Sequence, residues 1–235
     1  MSISKKLRFS KERTECFSRE LITWSKCAGN RRQFAWRETS EPYRILVAEL
    51  LLRRTNARAV ESVYKDLLLR YPSLKRLAFA TEADLSELLF SLGLNWRTRN
   101  IAELARAVKS GTVKVIPGDL VQLKQLPGVG DYVARAILIN AFHARITAID
   151  NNVVRVLCRY FGIRQTDSLR RNAEFQYFGD TLIGEHDPRD FNYALLDLAA
   201  GVCTPRTPKC NICPLRKTCS FGKKMNHNQM RGRSD

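Results

Sequence analysis

Four cysteines, at positions 203, 210, 213 and 219, crowd into the 17 residues CTPRTPKCNICPLRKTC. The gaps between them are six, two and five residues. Four thiolates on one short loop satisfy either tetrahedral zinc or a cubane iron–sulfur cluster, and spacing alone does not choose between the two. The segment LKQLPGVGDYVARAILINAF (123–142) reads as helix, tight turn, helix. Gly128 and Gly130 permit backbone angles that side chains disfavour. Such a turn points free N–H groups outward at the positive end of a helix dipole. Gly128, Val129 and Gly130 are thus candidates to grip a phosphate without reading any base. A plain helical hairpin is the other reading.

Three more side chains could carry chemistry. Glu49 sits in ILVAELLLRR, where Ile45, Leu46 and Leu52 are apolar helical neighbours. A carboxylate facing a packed or ligand-filled space is costly and titrates high. The alternative is an i,i+4 pair with Arg53 on a solvated face. Asp150 opens the helix in AIDNNVVRVLCRYF, where it suits an N-cap and equally suits chemistry. Tyr132 follows the glycine turn, eighteen residues before Asp150.

The elements that must position these residues are almost all helical. Pro42 starts a long apolar helix over 40–55. Val60, Val63, Tyr64, Leu67 and Leu68 recur at helical spacing, and so do Ile101, Leu104, Ala105 and Val108. TEADLSELLFSLG opens on Thr81 and ends at Gly93. Val154, Leu157, Cys158 and Phe161 make an inward stripe after Asp150. No stretch alternates as a half-buried strand does. The expected fold class is all-α, with eight to eleven helices and a mobile basic tail from position 223.

The 235-residue chain carries 40 Lys plus Arg against 23 Asp plus Glu, a net charge of +17. Such an excess attracts polyanions, with nucleic acid first and an anionic membrane surface second. No apolar run reaches transmembrane length, and the N-terminus lacks the apolar core of a signal peptide. Cys16, Cys27 and Cys158 lie in apolar-patterned segments and read as buried thiols. This cysteine usage suits a metal site in a reducing compartment, cytoplasmic and nucleoid-associated in a prokaryote, better than a disulfide framework.

Together these motifs resemble the endonuclease III superfamily of DNA glycosylases, over roughly residues 30 to 222. The four-cysteine spacing is similar to the family's [4Fe–4S] loop. LPGVG with Tyr132 and then Asp150 is similar to its helix–hairpin–helix and catalytic aspartate. PYRILVAELLLRRT is similar to the segment bearing the active-site glutamate of some members, and GLNWRTRN (93–100) to a family segment near the DNA. The resemblance implies two helical lobes. A six-helix barrel with the hairpin would span 34–145. An iron–sulfur lobe would combine 1–33 with 146–222, and Tyr132 would face Asp150 across the cleft.

The same resemblance implies an activity. A flipped base in double-stranded DNA would be cut from its sugar. Asp150 would offset the positive charge that develops on the sugar, and Glu49 would protonate or hold the leaving base. Members that also cut the backbone carry lysine where this chain has Tyr132, and tyrosine cannot form a Schiff base. A monofunctional, monomeric enzyme leaving an abasic site is expected. ELLLRRTNA looks like the thymine/uracil mismatch enzymes, whereas adenine glycosylases usually carry a glutamine pair in place of Arg53 and Arg54. The adenine enzymes also carry a further C-terminal domain, and only 16 residues follow Cys219 here. Arg53 would enter the duplex where the base was, with Arg54 and Arg97 beside the DNA and Ala57 lining the base pocket. A surface ion pair for Arg53 and ordinary packing for Ala57 are the alternatives. A non-enzymatic iron–sulfur DNA-binding module is the rival class.

Overall fold

All regular structure among the described residues is helical, as the sequence pattern requires. The computed structural model describes residues 7–53, 55–93 and 95–223. The expectations for Arg54 and for the tail beyond 223 lie outside the described residues. The chain divides into two compact units. One is Gln33–Ala144, and the other takes the chain up to Arg32 together with the chain from Arg145 onward. No described helix is long and apolar enough to cross a membrane.

The unit over Gln33–Ala144 is built around α2 (Pro42–Leu52). Pro42 and the Glu41 side chain, which accepts from the Tyr43 and Arg44 amides, start this helix. Ile45 through Leu51 are all buried, so α2 is covered on every side, as a central helix must be, with Glu49 the one charged residue in that run. Around it lie α3 (Ala57–Arg70), capped by Asn56, then the single turn α4 (Leu74–Leu77) and α5 (Glu82–Leu89). Thr81 and Asp84 form a reciprocal capping box at the start of α5. α6 (Asn95–Lys109), the single turn α7 (Leu120–Leu123) and α8 (Asp131–Phe142) complete the unit. α2 packs against α8, α3 and α6. Of the expected stripe residues, Val60, Val63, Tyr64, Leu67, Ile101, Leu104 and Ala105 are buried, whereas Leu68 and Val108 are half-buried.

The other unit holds α1 (Lys11–Ser25), α9 (Asn151–Phe161), α10 (Ala173–Thr181) and α11 (Pro188–Gly201). α11 packs against both α1 and α9. Phe17, Phe175 and Phe191 are fully buried in its core, each contributing about 1.5–3 kcal/mol by leaving water. Phe17, Tyr160 and Phe161 pack in tilted and edge-on arrangements with centroids 4.7–5.5 Å apart. Val154, Leu157, Cys158 and Phe161 face inward as expected, and Val153, Val156 and Tyr160 join them. Gly162 ends α9 at φ +75°, a left-handed angle at which a side chain would be strained. Of the three thiols expected to be buried only Cys158 is, and Cys16 on α1 is half-buried. Cys27 is exposed rather than buried, because α1 stops at Ser25 and Cys27 falls in the following turn.

Candidate functional site

Asp150 is the N-cap of α9, and it is only half-buried. Its Oδ1 accepts from the backbone N–H groups of Asn152 and Val153, both at 2.8 Å. Its Oδ2 accepts from the Asn152 side-chain amide at 2.6 Å. The cap reading is therefore correct, and it leaves a carboxylate of fixed orientation with lone pairs to spare. Behind it lies a residue that sequence reasoning missed. Arg155 is buried at 8% exposure, and its Nη1 donates to Asn152 Oδ1 at 2.9 Å. Its Nε donates to the Cys203 carbonyl at 2.9 Å and its Nη2 to the Ala199 carbonyl at 3.0 Å. Burial pulls its pKa below the ordinary guanidinium value, with the Cys203 side chain opposing. A charged residue set among the valines of NNVVRV was the available signal. A chain of hydrogen bonds thus runs from the cysteine loop to Asp150.

The loop itself hangs from the end of α11, where the Cys203 N–H donates to the Leu198 carbonyl at 2.7 Å. Arg159 on α9 grips it, donating to the carbonyls of Thr204 and Pro205 at 2.7 Å each and to Cys203 Sγ at 3.5 Å. Burial pushes the Cys213 thiol up to about 12, and the neighbouring sulfurs of Cys203, Cys219 and Cys210 push the same way. Cys210 and Cys219 are raised for the same first reason, burial. Among the described residues, no group of three or more His, Cys, Asp or Glu already meets the spacing of a bound metal ion. The donor set nonetheless fits a thiolate-bound metal group. All four thiols are free and within electrostatic reach of one another, and Arg13, Arg159 and Arg216 bear on them.

The second group of residues lies on the Gln33–Ala144 unit. Glu49 is buried at 8% exposure on α2, which rules out the solvated face. Tyr132 is half-buried in the first turn of α8, the helix against which α2 packs. Gly128 sits at φ +77°, and a Cβ there would lie 2.8 Å from the Asn100 amide nitrogen, so glycine is required twice over. Two details of the hairpin differ from expectation. Gly130 adopts φ −91°, ψ −179°, extended backbone open to any residue, and its Cβ would meet nothing within 4 Å. The Val129 N–H is not free either. It closes the turn by donating to the Leu126 carbonyl at 3.0 Å, and its side chain is buried. Gly130 supplies no side-chain cap to the first-turn amides of α8.

Arg53 is exposed, with its guanidinium 4.6 Å over the Trp96 ring and Nη1 donating to the Gly128 carbonyl at 3.0 Å. Its side chain therefore rests on the hairpin. Arg97 must be corrected. It was expected beside DNA and is instead 0% exposed. Its guanidinium donates to the carbonyls of Arg53 at 2.7 Å and Gly93 at 3.2 Å, and to the Thr55 hydroxyl. Burial first, and the Arg53 charge second, lower its pKa. It braces the turn after α2 and has no face left for a phosphate. Ala57 is half-buried at the first position of α3.

Comparison with known proteins adds four findings. A family model described as HhH-GPD superfamily base excision DNA repair protein matches residues 47–176. A thymine-DNA glycosylase of Aeropyrum pernix is 37% identical over 92% of this chain and 98% of its own. A thymine/uracil-DNA glycosylase of Methanothermobacter thermautotrophicus is 34% identical over 92% and 96%. Among solved structures, that of a thermostable thymine-DNA glycosylase superposes with a TM-score of 0.83 at 32% identity, covering 91% of this chain and 98% of that one.

Proposed function

Because this chain belongs to the HhH-GPD superfamily of base excision DNA repair proteins, we propose that it is a monofunctional DNA glycosylase. Its substrate is thymine or uracil mispaired with guanine in duplex DNA, and its product is an abasic site. The single observation that carries this reading is the cap of α9. Three N–H donors hold the Asp150 carboxylate in one orientation while it stays open to solvent. As the glycosidic bond breaks, the deoxyribose gains positive charge, and a preorganised negative group at that point lowers the barrier. Asp150 also orients the attacking water. Glu49, a buried carboxyl, protonates or holds the departing base.

Tyr132 occupies the position where a lyase would need an amine, so no Schiff base forms and the strand stays intact. The first-turn amides of α8 bind a phosphate of the backbone. Arg53 leaves the hairpin to fill the space of the flipped base, and the +17 charge draws the enzyme to DNA. Cys203, Cys210, Cys213 and Cys219 hold a [4Fe–4S] cluster. When bound, that group cross-links a loop carrying Arg206, Lys209, Arg216 and Lys217 and can exchange an electron.

The test is a panel of duplexes carrying T·G, U·G, adenine opposite 8-oxoguanine, or an oxidised pyrimidine, each followed by alkali. Breaks on T·G and U·G only after alkali support the reading. Breaks without alkali contradict the monofunctional assignment, breaks on the adenine duplex alone move the substrate, and no breaks on any duplex favour a binding module.

A further inference from the structure

The four residues before Asp150, 146–149, have no regular structure, yet Thr147, Ala148 and Ile149 are only 1%, 5% and 4% exposed. Buried backbone without a helix or sheet must find partners elsewhere. Here they are side chains of α10 and α11. The Thr147 N–H donates to Asp180 Oδ1 at 2.7 Å, and the Thr147 carbonyl accepts from Gln176 Nε2 at 2.7 Å. The Thr147 hydroxyl donates to the same Asp180 oxygen at 2.7 Å and accepts from Gln176 at 3.0 Å. Asn192 takes the Ala148 N–H at 2.9 Å and returns its amide to the Ile146 carbonyl at 3.1 Å. That same amide also donates to the Pro188 carbonyl of its own helix at 2.8 Å. Gly179 lets α10 approach, since a Cβ there would lie 2.7 Å from both Ile149 Cδ1 and Thr147 Oγ1.

We propose that Thr147, Gln176, Asp180 and Asn192 are positioning residues for base release, a polar clamp that fixes the chain entering Asp150. The α9 cap fixes the carboxylate from one side, and the clamp fixes the backbone from the other. Burying two amides, Gln176 and Asn192, beside a half-buried carboxylate, Asp180, to hold three residues is a costly way to build a connection, because the buried polar atoms must then be satisfied. An apolar segment would pack more simply. What the clamp provides is placement to within a fraction of an ångström, the tolerance that a charge-stabilising group demands.

The clamp rests on the role given to Asp150, and its test separates the two. Base release from a T·G duplex is measured under single turnover at saturating enzyme, beside the Kd for a duplex with an uncleavable abasic analogue. Thr147→Val keeps the shape and removes the hydroxyl, whereas Thr147→Ser restores it. Gln176→Leu removes two donors, and Gly179→Ala keeps every polar group of the clamp while its Cβ crowds Ile149 and the Thr147 hydroxyl. Thr147→Val, Gln176→Leu and Gly179→Ala slow base release on the order of 10- to 100-fold, with Kd unchanged within about threefold. Thr147→Ser recovers most of the rate. Folded variants that match the wild-type rate overturn the clamp, and so does a loss of rate matched by an equal loss of affinity. Should Thr147→Val fail to fold, Gly179→Ala and Gln176→Leu decide the matter. A wild-type protein that releases no base sinks the Asp150 role and the clamp with it, whereas an active wild type with unaffected variants sinks the clamp alone.

Discussion

Replacing Arg97 with methionine separates a brace from a DNA contact. Methionine keeps the unbranched apolar stem and removes the guanidinium. Lost with it are bonds to the Arg53 carbonyl at 2.7 Å, the Gly93 carbonyl at 3.2 Å and the Thr55 hydroxyl. Hydrogen bonds from a charged donor contribute about 1.5–3 kcal/mol each. Against this stands relief, because the wild type buries a cation whose Nε has no partner, at a cost of several kcal/mol. The balance is a destabilisation of about 2–4 kcal/mol, at the upper end for a single substitution. In a chain of this size it lowers Tm by about 5–15 °C. The assay is thermal unfolding by circular dichroism, run beside the dependence of DNA affinity on salt. A residue that neutralises one phosphate adds about 0.9 to that salt slope. Arg97→Met leaves the slope unchanged at a temperature where the variant is folded. A normal Tm with a slope reduced by about one would refute the brace and restore the DNA contact.

The other sites give further expected outcomes. Cys213→Ala leaves the purified protein with little iron or sulfide, and the loop after Cys203 becomes a preferred site of proteolytic cutting. Wild-type iron content in that variant would exclude Cys213 as a ligand. Tyr132→Lys places an amine at the start of α8 and yields strand breaks without alkali, through an imine to the sugar that borohydride reduces to a covalent protein–DNA adduct. Absence of the adduct in a folded, base-releasing variant would show that more than an amine at 132 separates the two chemistries. Asp150→Ala loses both cap bonds to the Asn152 and Val153 amides and destabilises the protein by about 0.5–2 kcal/mol. An unchanged Tm would mean that the cap contributes little.

Much of this was legible in the residues because it depends on local physics. The periodicity that buries Val60, Val63, Tyr64 and Leu67, the Thr81 start of α5 and the Asp150 cap all act over one or two turns. The four cysteines announce themselves by spacing. What stayed hidden depends on partners brought together by folding. Arg97 reads as a surface cation until the Arg53 carbonyl, 44 residues away, arrives to receive it. Gln176 and Asn192 look like ordinary polar positions on amphipathic helices, yet their partners at 146–148 lie 29 to 46 residues away. Gly130 misled in the opposite sense, since a glycine between valine and aspartate suggests an unusual angle and the backbone there is merely extended.

The most direct measurement is thymine release by Asp150→Asn under single turnover, with DNA affinity and Tm taken on the same preparation. Asparagine caps a helix about as well as aspartate, so the fold and the affinity are kept. The neutral amide offers no charge to the sugar, and the rate falls by a factor on the order of 10²–10³ or more. A folded Asp150→Asn protein that releases thymine at close to the wild-type rate would show that Asp150 is a cap and nothing else.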